Sequence, residues 1–424
     1  MRQMAPLACA VAATLFLAAC SNTVVPDWPE VECASVLTGP ISEDTTLESS
    51  GTECDYRLEG NVQVASELII EAGTRIFAEP EARITIREGG SLQVRGNAGR
   101  PVALIGRHAE HGSWDGICFF PGHGASSISH ATIMWAGRAP YGDETPGCRA
   151  AIGGVGKGGA PVNIGNTTVF GSATTGIDAT TFVLETFSRN TLAGNIEYGL
   201  RVTGDNATAL TSAGDYTGET LVGEYGDDAV NGLPYVYLHA GPGSLSHPNQ
   251  FRTWPALGGT PYHIAEDGPA YPHATLRFEE FTRILLTPGT TFLMGEGAGI
   301  EIGFGAALAA FGAEALPITF TAEQAVPGWW QGIRVTSGSL LARHLELAHA
   351  GAGGSSITFG GGAVTGCSDV RLSRITDSPG SGVLITEQYG PYVHLEDLTF
   401  RNIAGATVDG RADGPPILDD VSCS

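Results

Sequence analysis

The chain predicts an all-β fold in which short strands coil into a solenoid, arranged as two tandem duplicated lobes. Three observations carry this expectation. Composition is the first: 60 of the 424 residues are Gly, 24 are Pro and only 16% are charged, which suits short strands joined by tight turns better than amphipathic helices. An apolar content of 42% is enough for a packed core, so the glycine does not signal disorder. The second is self-similarity. LIIEAGTRIF at 68–77 returns as ILLTPGTTFL at 284–293, and laying Gly73 on Gly289 gives an offset of 289 − 73 = 216. The third is alternation: matched aliphatics recur at every second position, the period of a strand with one dry face.

At the N-terminus, MRQMAPLACAVAATLFLAAC has one early charge at Arg2, an apolar run and small residues ahead of a cysteine. Residues 1–19 therefore read as a signal peptide, too short in its apolar part for a comfortable membrane span. Leu17-Ala18-Ala19-Cys20 resembles the lipobox of bacterial lipoproteins. That resemblance implies cleavage before Cys20, acylation of its thiol and, because Ser21 follows it, residence at the outer membrane on a face left open. Residues 20–32 then form a tether, 33–249 the first lobe and 250–424 the second. Cys9 would leave with the signal, so Cys33, Cys54, Cys118, Cys148, Cys367 and Cys423 remain. An even number in an oxidising compartment predicts disulfides, and the absence of CxxC spacing disfavours zinc. Pairing between sequence neighbours is the simplest of several connectivities.

The lobes follow from extending the repeat. At 216, Thr74 meets Thr290, Ile84 meets Ile300, Ile86 meets Ile302, Leu92 meets Leu308, and Trp114, Gly116 and Ile117 meet Trp330, Gly332 and Ile333. Two residues are then lost, and HATIMWAG at 130–137 meets HLELAHAG at 344–351. Ile84 and Ile86 alternate with Arg83, Thr85 and Arg87; Leu92 and Val94 alternate with Gln93 and Arg95. Such strands are too short to be stable as isolated hairpins, so each must stack on an equivalent one coil away. The Gly-Thr pairs at 73–74 and 289–290 read as corners that need positive φ.

The string LIIEAGTRIF, ITIREGGSLQVRG, RPVALIG, WDGICF and HATIMWAG, with its second copy ILLTPGTTF, IEIGFGAALAAFG, LPITF, WQGIRV and HLELAHAG, resembles the coils of bacterial β-helix lipoproteins of pectate-lyase-like architecture. The resemblance covers roughly 55–200 and 250–400. It implies a right-handed parallel β-helix with about 20 to 25 residues per coil, a rise of about 4.8 Å and a rod on the order of 80 Å long.

Many proteins of this architecture cleave polysaccharide, which directs attention to GHG at 122–124 and GDD at 226–228. Paired carboxylates must flank one sugar bond together with their partners. His123 stands about a hundred residues from Asp227 and Asp228, several coils away, so these fragments read as turn residues. Lys157, the only lysine, has no acidic neighbours in GGVGKGGA, and the formal GxGxxG around it lacks a strand-to-helix context. His130 and His344 recur at matched positions and read as architectural. Trp114 and Trp330 read as covers over a turn, with sugar stacking as the alternative; Trp329, Tyr389 and Tyr392 are further candidates for exposed aromatics. No catalytic residue, metal site or cofactor is assigned.

The formal net charge of −23 repels phosphate backbones and excludes nucleic acid as a partner. The expectation is a lipid-anchored, non-catalytic rod at the bacterial envelope, serving adhesion, structure, or contact with glycan or protein. The alternative is a polysaccharide lyase or hydrolase, which a cleft holding several acids and an Arg within one sugar length would favour.

Overall fold

A computed structural model describes residues 31–138, 148–241, 245, 251–266, 274–362 and 365–412. The signal sequence, Cys20 and Cys423 lie outside these residues. Among them the chain is a parallel β-helix. One sheet of thirteen parallel strands runs through both lobes, from Asn61–Val64 to Thr399–Ile403. Each lobe adds two lateral sheets of its own, a seven- and a six-stranded sheet in the first and two six-stranded sheets in the second.

Alternation places the core. In the long sheet Val62, Ile84, Ile117, Ile152, Ile177, Leu200 and Val236 are successive partners. Tyr262, Phe292, Phe320, Leu347, Ile375 and Phe400 continue the same register. All except the terminal Phe400 are buried. The ladder changes from aliphatic to aromatic at Tyr262, where ring stacking takes over: Phe292 lies parallel to Phe320 at a centroid distance of 4.4 Å. Burying each such side chain stabilises the coil by about 1.5–3 kcal/mol.

The corners obey the backbone. Gly73 and Gly289 have φ of 85° and 84°, and the threonines after them are fully buried. Thr74 Oγ1 donates to the Glu71 carbonyl and Thr290 Oγ1 to that of Thr287, adding to the backbone N–H bond that each carbonyl accepts from the same threonine. His130 and His344 also share a left-handed conformation, at 50° and 51°, so their recurrence is a recurrence of bend. A second line of polar support runs inside the first lobe: Asn195 Oδ1 accepts from the Ser172 amide, and Asn231 Oδ1 accepts from the Asn195 amide.

Coils are larger and fewer than the repeat suggested. Successive partners in the long sheet are 22 residues apart from Val62 to Ile84 and 36 apart from Leu200 to Val236. Thirteen strands spaced about 4.8 Å therefore span about 60 Å, shorter than the rod expected. The extra residues enter corners such as 204–232, which holds 3-10 turns and a four-residue helix at Val222–Tyr225.

The duplication passes through the fold one face out of step. Arg83–Ile86 belongs to the long sheet, whereas its equivalent Gly299–Ile302 is lateral; Arg75–Ala78 is lateral, whereas Thr291–Met294 belongs to the long sheet. The slip accompanies an irregular seam between the lobes. Among the described residues a single lateral strand, Phe251–Trp254, lies between the long-sheet strands Leu233–His239 and Tyr262–Ile264. An ordinary coil has two.

Cys33 bonds Cys54, and Cys118 bonds Cys148. Cys367 is also disulfide-bonded; Cys423, expected as its partner, lies outside the described residues.

Candidate functional site: the outward face of the long sheet

The face opposite the core is wet by the same alternation that makes the core dry. In the second lobe Thr291, Thr319, Glu346, Arg374 and Thr399 form one outward register. Beside it lie His263 and Leu293, then Thr321 on the next strand, then Ala348, Thr376 and Arg401. Between Thr319 and Asn402 the surface sinks into a groove of ≈ 720 Å³, adjoined by a second hollow of ≈ 580 Å³ that shares Glu346, Arg374 and Thr399. Neither lining contains Trp, Tyr or Phe, and the second hollow includes the imidazole of His344.

Charge in the groove is mixed and exposed. Arg374 Nη1 lies 3.4 Å from Glu346 Oε1, with side chains 59% and 38% exposed. A pair so hydrated holds together by about 0–1 kcal/mol and can open to a ligand. Asp377 sits at a left-handed corner with φ of 57°, stacked between His349 at 60° and Asn402 at 56°. Asn402 Nδ2 donates to its Oδ1 at 2.8 Å. That bond, helped by Thr376, His349 and Arg401, holds the Asp377 carboxyl below the usual carboxylate range and keeps it ionised near neutrality.

Towards the seam the same face carries a buried polar chain. Tyr198, on the strand Tyr198–Thr203 of the first lobe, hydrogen-bonds through its hydroxyl to His263 Nδ1 at 2.9 Å. His263 Nε2 meets Glu323 Oε1 at 2.5 Å. Burial lowers the His263 pKa, against the opposing pull of Glu323. A neutral ring satisfies both contacts, with Tyr198 donating to Nδ1 and Nε2–H donating to the carboxylate. Tyr235 and Tyr237 flank this imidazole, and the Arg201 guanidinium covers the Tyr237 ring at 4.4 Å.

The residues singled out from sequence fall elsewhere. Trp114 and Trp330 are fully buried, and their indole N–H groups donate to the carbonyls of Met134 and Ala348 at 2.9 Å. They cover corners and cannot stack on sugar. Tyr389 is buried as well; of the three further aromatic candidates Tyr392, 48% exposed, is open and Trp329 is half-buried. His123 is buried against Phe119, with Nδ1 3.0 Å from the Gly124 carbonyl oxygen. Asp227 and Asp228 are exposed in a 3-10 turn of the 204–232 corner. Lys157 is exposed in a loop. No group of three or more potential metal ligands occurs among the described residues.

The groove was missed because its members lie one coil apart. Glu346, Arg374 and Thr399 are separated by 28 and 25 residues, and no local motif joins them. The signal present was the repeat itself. By register Phe77, Ile105, Met134, Phe170 and Ala193 of the first lobe correspond to Leu293, Thr321, Ala348, Thr376 and Arg401 of the second. An apolar strip in one lobe has a largely polar counterpart in the other.

Residues 39–146 match the family model of the pectate-lyase-like β-helix domain. Among solved structures, the A-module of mannuronan C-5 epimerase AlgE4 from Azotobacter vinelandii is 10% identical and aligns over 88% of this chain and 91% of that one, with a TM-score of 0.27. No curated protein matches the chain. In fold the chain is a parallel β-helix, and over residues 39–146 it is similar to the pectate-lyase-like β-helix domain.

Proposed function

We propose that the protein is an envelope-anchored rod that binds an extended glycan along the outward face of its long sheet in the second lobe. One observation carries this reading: a continuous groove crosses successive strands and is lined by the hydroxyls of Thr319, Thr321, Thr376 and Thr399 together with Glu346, Arg374 and Arg401. Hydroxyls that both donate and accept, beside charged donors and acceptors, suit the edges of sugar rings. Strands repeat about every 4.8 Å, so a chain lying along the helix axis meets a new set of partners at each coil. An acyl chain on Cys20 would hold the rod at the outer membrane, with residues 20–32 as its tether.

The test is titration of the chain lacking residues 1–20 with neutral, amino and uronate oligosaccharides, followed by calorimetry, alongside Ala348→Trp. Ala348 stands half-buried on the groove floor, and an indole there fills the groove without changing charge. Binding that disappears in this variant while its circular dichroism is unchanged supports the reading; binding that survives overturns it. For the anchor, incorporation of labelled fatty acid that persists in Cys20→Ser overturns acylation at that residue.

A second reading, turnover of the bound chain, is favoured by the Tyr198–His263–Glu323 arrangement, in which a carboxylate orients an imidazole towards a hydroxyl as in general acid-base sites. Reducing-end and unsaturated-product assays on any bound glycan test it. Turnover abolished by His263→Gln supports it, and binding without turnover overturns it.

A further inference from the structure

We infer that the groove selects a glycan bearing protonated amino groups, such as a partly deacetylated chitin-type chain, over a polyuronate. This rests on the glycan-binding reading and adds the class of sugar.

Charge complementarity makes the argument. The two hollows are lined by four carboxylates, Glu314, Glu346, Asp377 and Asp397, against two guanidiniums, Arg374 and Arg401. Each guanidinium already faces an acid of the protein: Arg374 lies beside Glu346, and Arg401 is close enough to Asp377 to stabilise its charge. A polyuronate entering the groove would bring a carboxylate to each coil and find no cation without a competitor. It would also approach through the field of a chain whose formal net charge is −23, and that field slows anions and gathers cations. A chain carrying ammonium groups meets the reverse. Its charges can fall beside Glu346 and Asp397, which stand on or next to long-sheet strands two coils apart, while its hydroxyls use Thr319, Thr376 and Thr399. The linings hold no Trp, Tyr or Phe, and His344 is their one ring, so hydrogen bonding and charge carry more of the affinity than stacking on a sugar face.

The experiment compares a fully deacetylated glucosamine hexamer, its fully acetylated form and a galacturonate hexamer by calorimetry at low and raised salt. The expected order is amino over acetylated by about tenfold, with the uronate weakest and the preference shrinking as salt screens it. Glu346→Gln with Asp397→Asn should remove the preference, and Arg374→Gln should increase it. A control pair, Glu88→Gln with Glu110→Gln, removes two charges from the first lobe and should leave the order intact. Preference lost equally in the control pair means attraction to total charge, and it overturns the inference. Equal binding of amino and acetylated hexamers, or tighter binding of the uronate, overturns the inference while leaving the glycan reading standing. Binding of none of the three overturns both.

Discussion

Replacing Phe320 by Ala tests whether stacked inward side chains hold the coils together. Phe320 is 1% exposed, parallel to Phe292 at 4.4 Å and 6.3 Å from the Trp330 ring. Truncation of a buried Phe costs about 3–5 kcal/mol, of which the lost aromatic pairing is about 1 kcal/mol. Phe400 occupies the same register at the last coil and is only half-buried, so Phe400→Ala should cost about 1–2 kcal/mol. Urea denaturation followed by tryptophan fluorescence measures both, and the midpoint of Phe320→Ala should fall clearly below that of Phe400→Ala. Each coil contacts only its neighbours, so hydrogen exchange should also quicken in Thr291–Met294 and Leu345–Ala348 while Asn61–Val64 stays protected. Equal costs at the two positions, or a cost below about 1 kcal/mol at Phe320, would refute the stacked-register account.

Duplicated corners should respond alike: Thr74→Val and Thr290→Val each remove a hydroxyl from a carbonyl that keeps its backbone N–H partner, and each should lower stability by about 0.5–1.5 kcal/mol in the same denaturation assay. Breaking the Cys33–Cys54 bond, which closes a loop of 21 residues, should cost about 3 kcal/mol, seen as a drop in melting temperature for Cys33→Ser with Cys54→Ser. His263 supplies a pH dependence. Its folded pKa is lowered by burial, so below the ordinary histidine value the unfolded chain binds the extra proton. Stability is then fully present above that value, falls as pH drops below it, and stops falling once pH is under the folded pKa. Melting curves between neutral and mildly acid pH should show this slope in the native chain and a flatter one in His263→Gln; identical slopes would contradict it.

The parts legible in sequence are those set by local alternation. Ile84, Ile86, Leu92 and Val94 are all fully buried, as their period demands, and the Gly-Thr corners adopt the bend that glycine permits. Features that depend on the distance between coils were not legible. Coil length varies because corners such as 204–232 swell without disturbing the register, so counting residues overestimates the number of coils. Tyr389, a candidate for an exposed aromatic in the sequence, is buried and its hydroxyl bonds the Thr336 carbonyl, a partner 53 residues away. The groove depends on distant pairing in the same way, since Glu346 gains meaning only once Arg374 is known to lie beside it.

The one-face slip explains why the second lobe, rather than the first, carries the groove. The lateral sheet of the first lobe that corresponds to the groove-bearing part of the long sheet presents Ile105, Met134, Phe170 and Ala193 outward. That strip is covered: Leu221 and Tyr225 of the 204–232 corner pack on it, with the Tyr225 ring 4.5 Å from Phe170 and Trp135 edge-on at 5.1 Å. In the second lobe the matching positions are Thr321, Ala348, Thr376 and Arg401, and the groove they line is open. The duplicated face has thus gone two ways, one copy apolar beneath a lid and the other polar and exposed. Removing the lid side chains by Leu221→Ser with Tyr225→Ser should therefore expose an apolar strip and raise binding of a hydrophobic dye, with faster hydrogen exchange confined to Thr168–Phe170 and Thr191–Ala193. Glycan affinity should stay unchanged, because the groove shares none of these contacts. A loss of glycan binding in that variant would mean that the covered face, and not its open counterpart, holds the ligand.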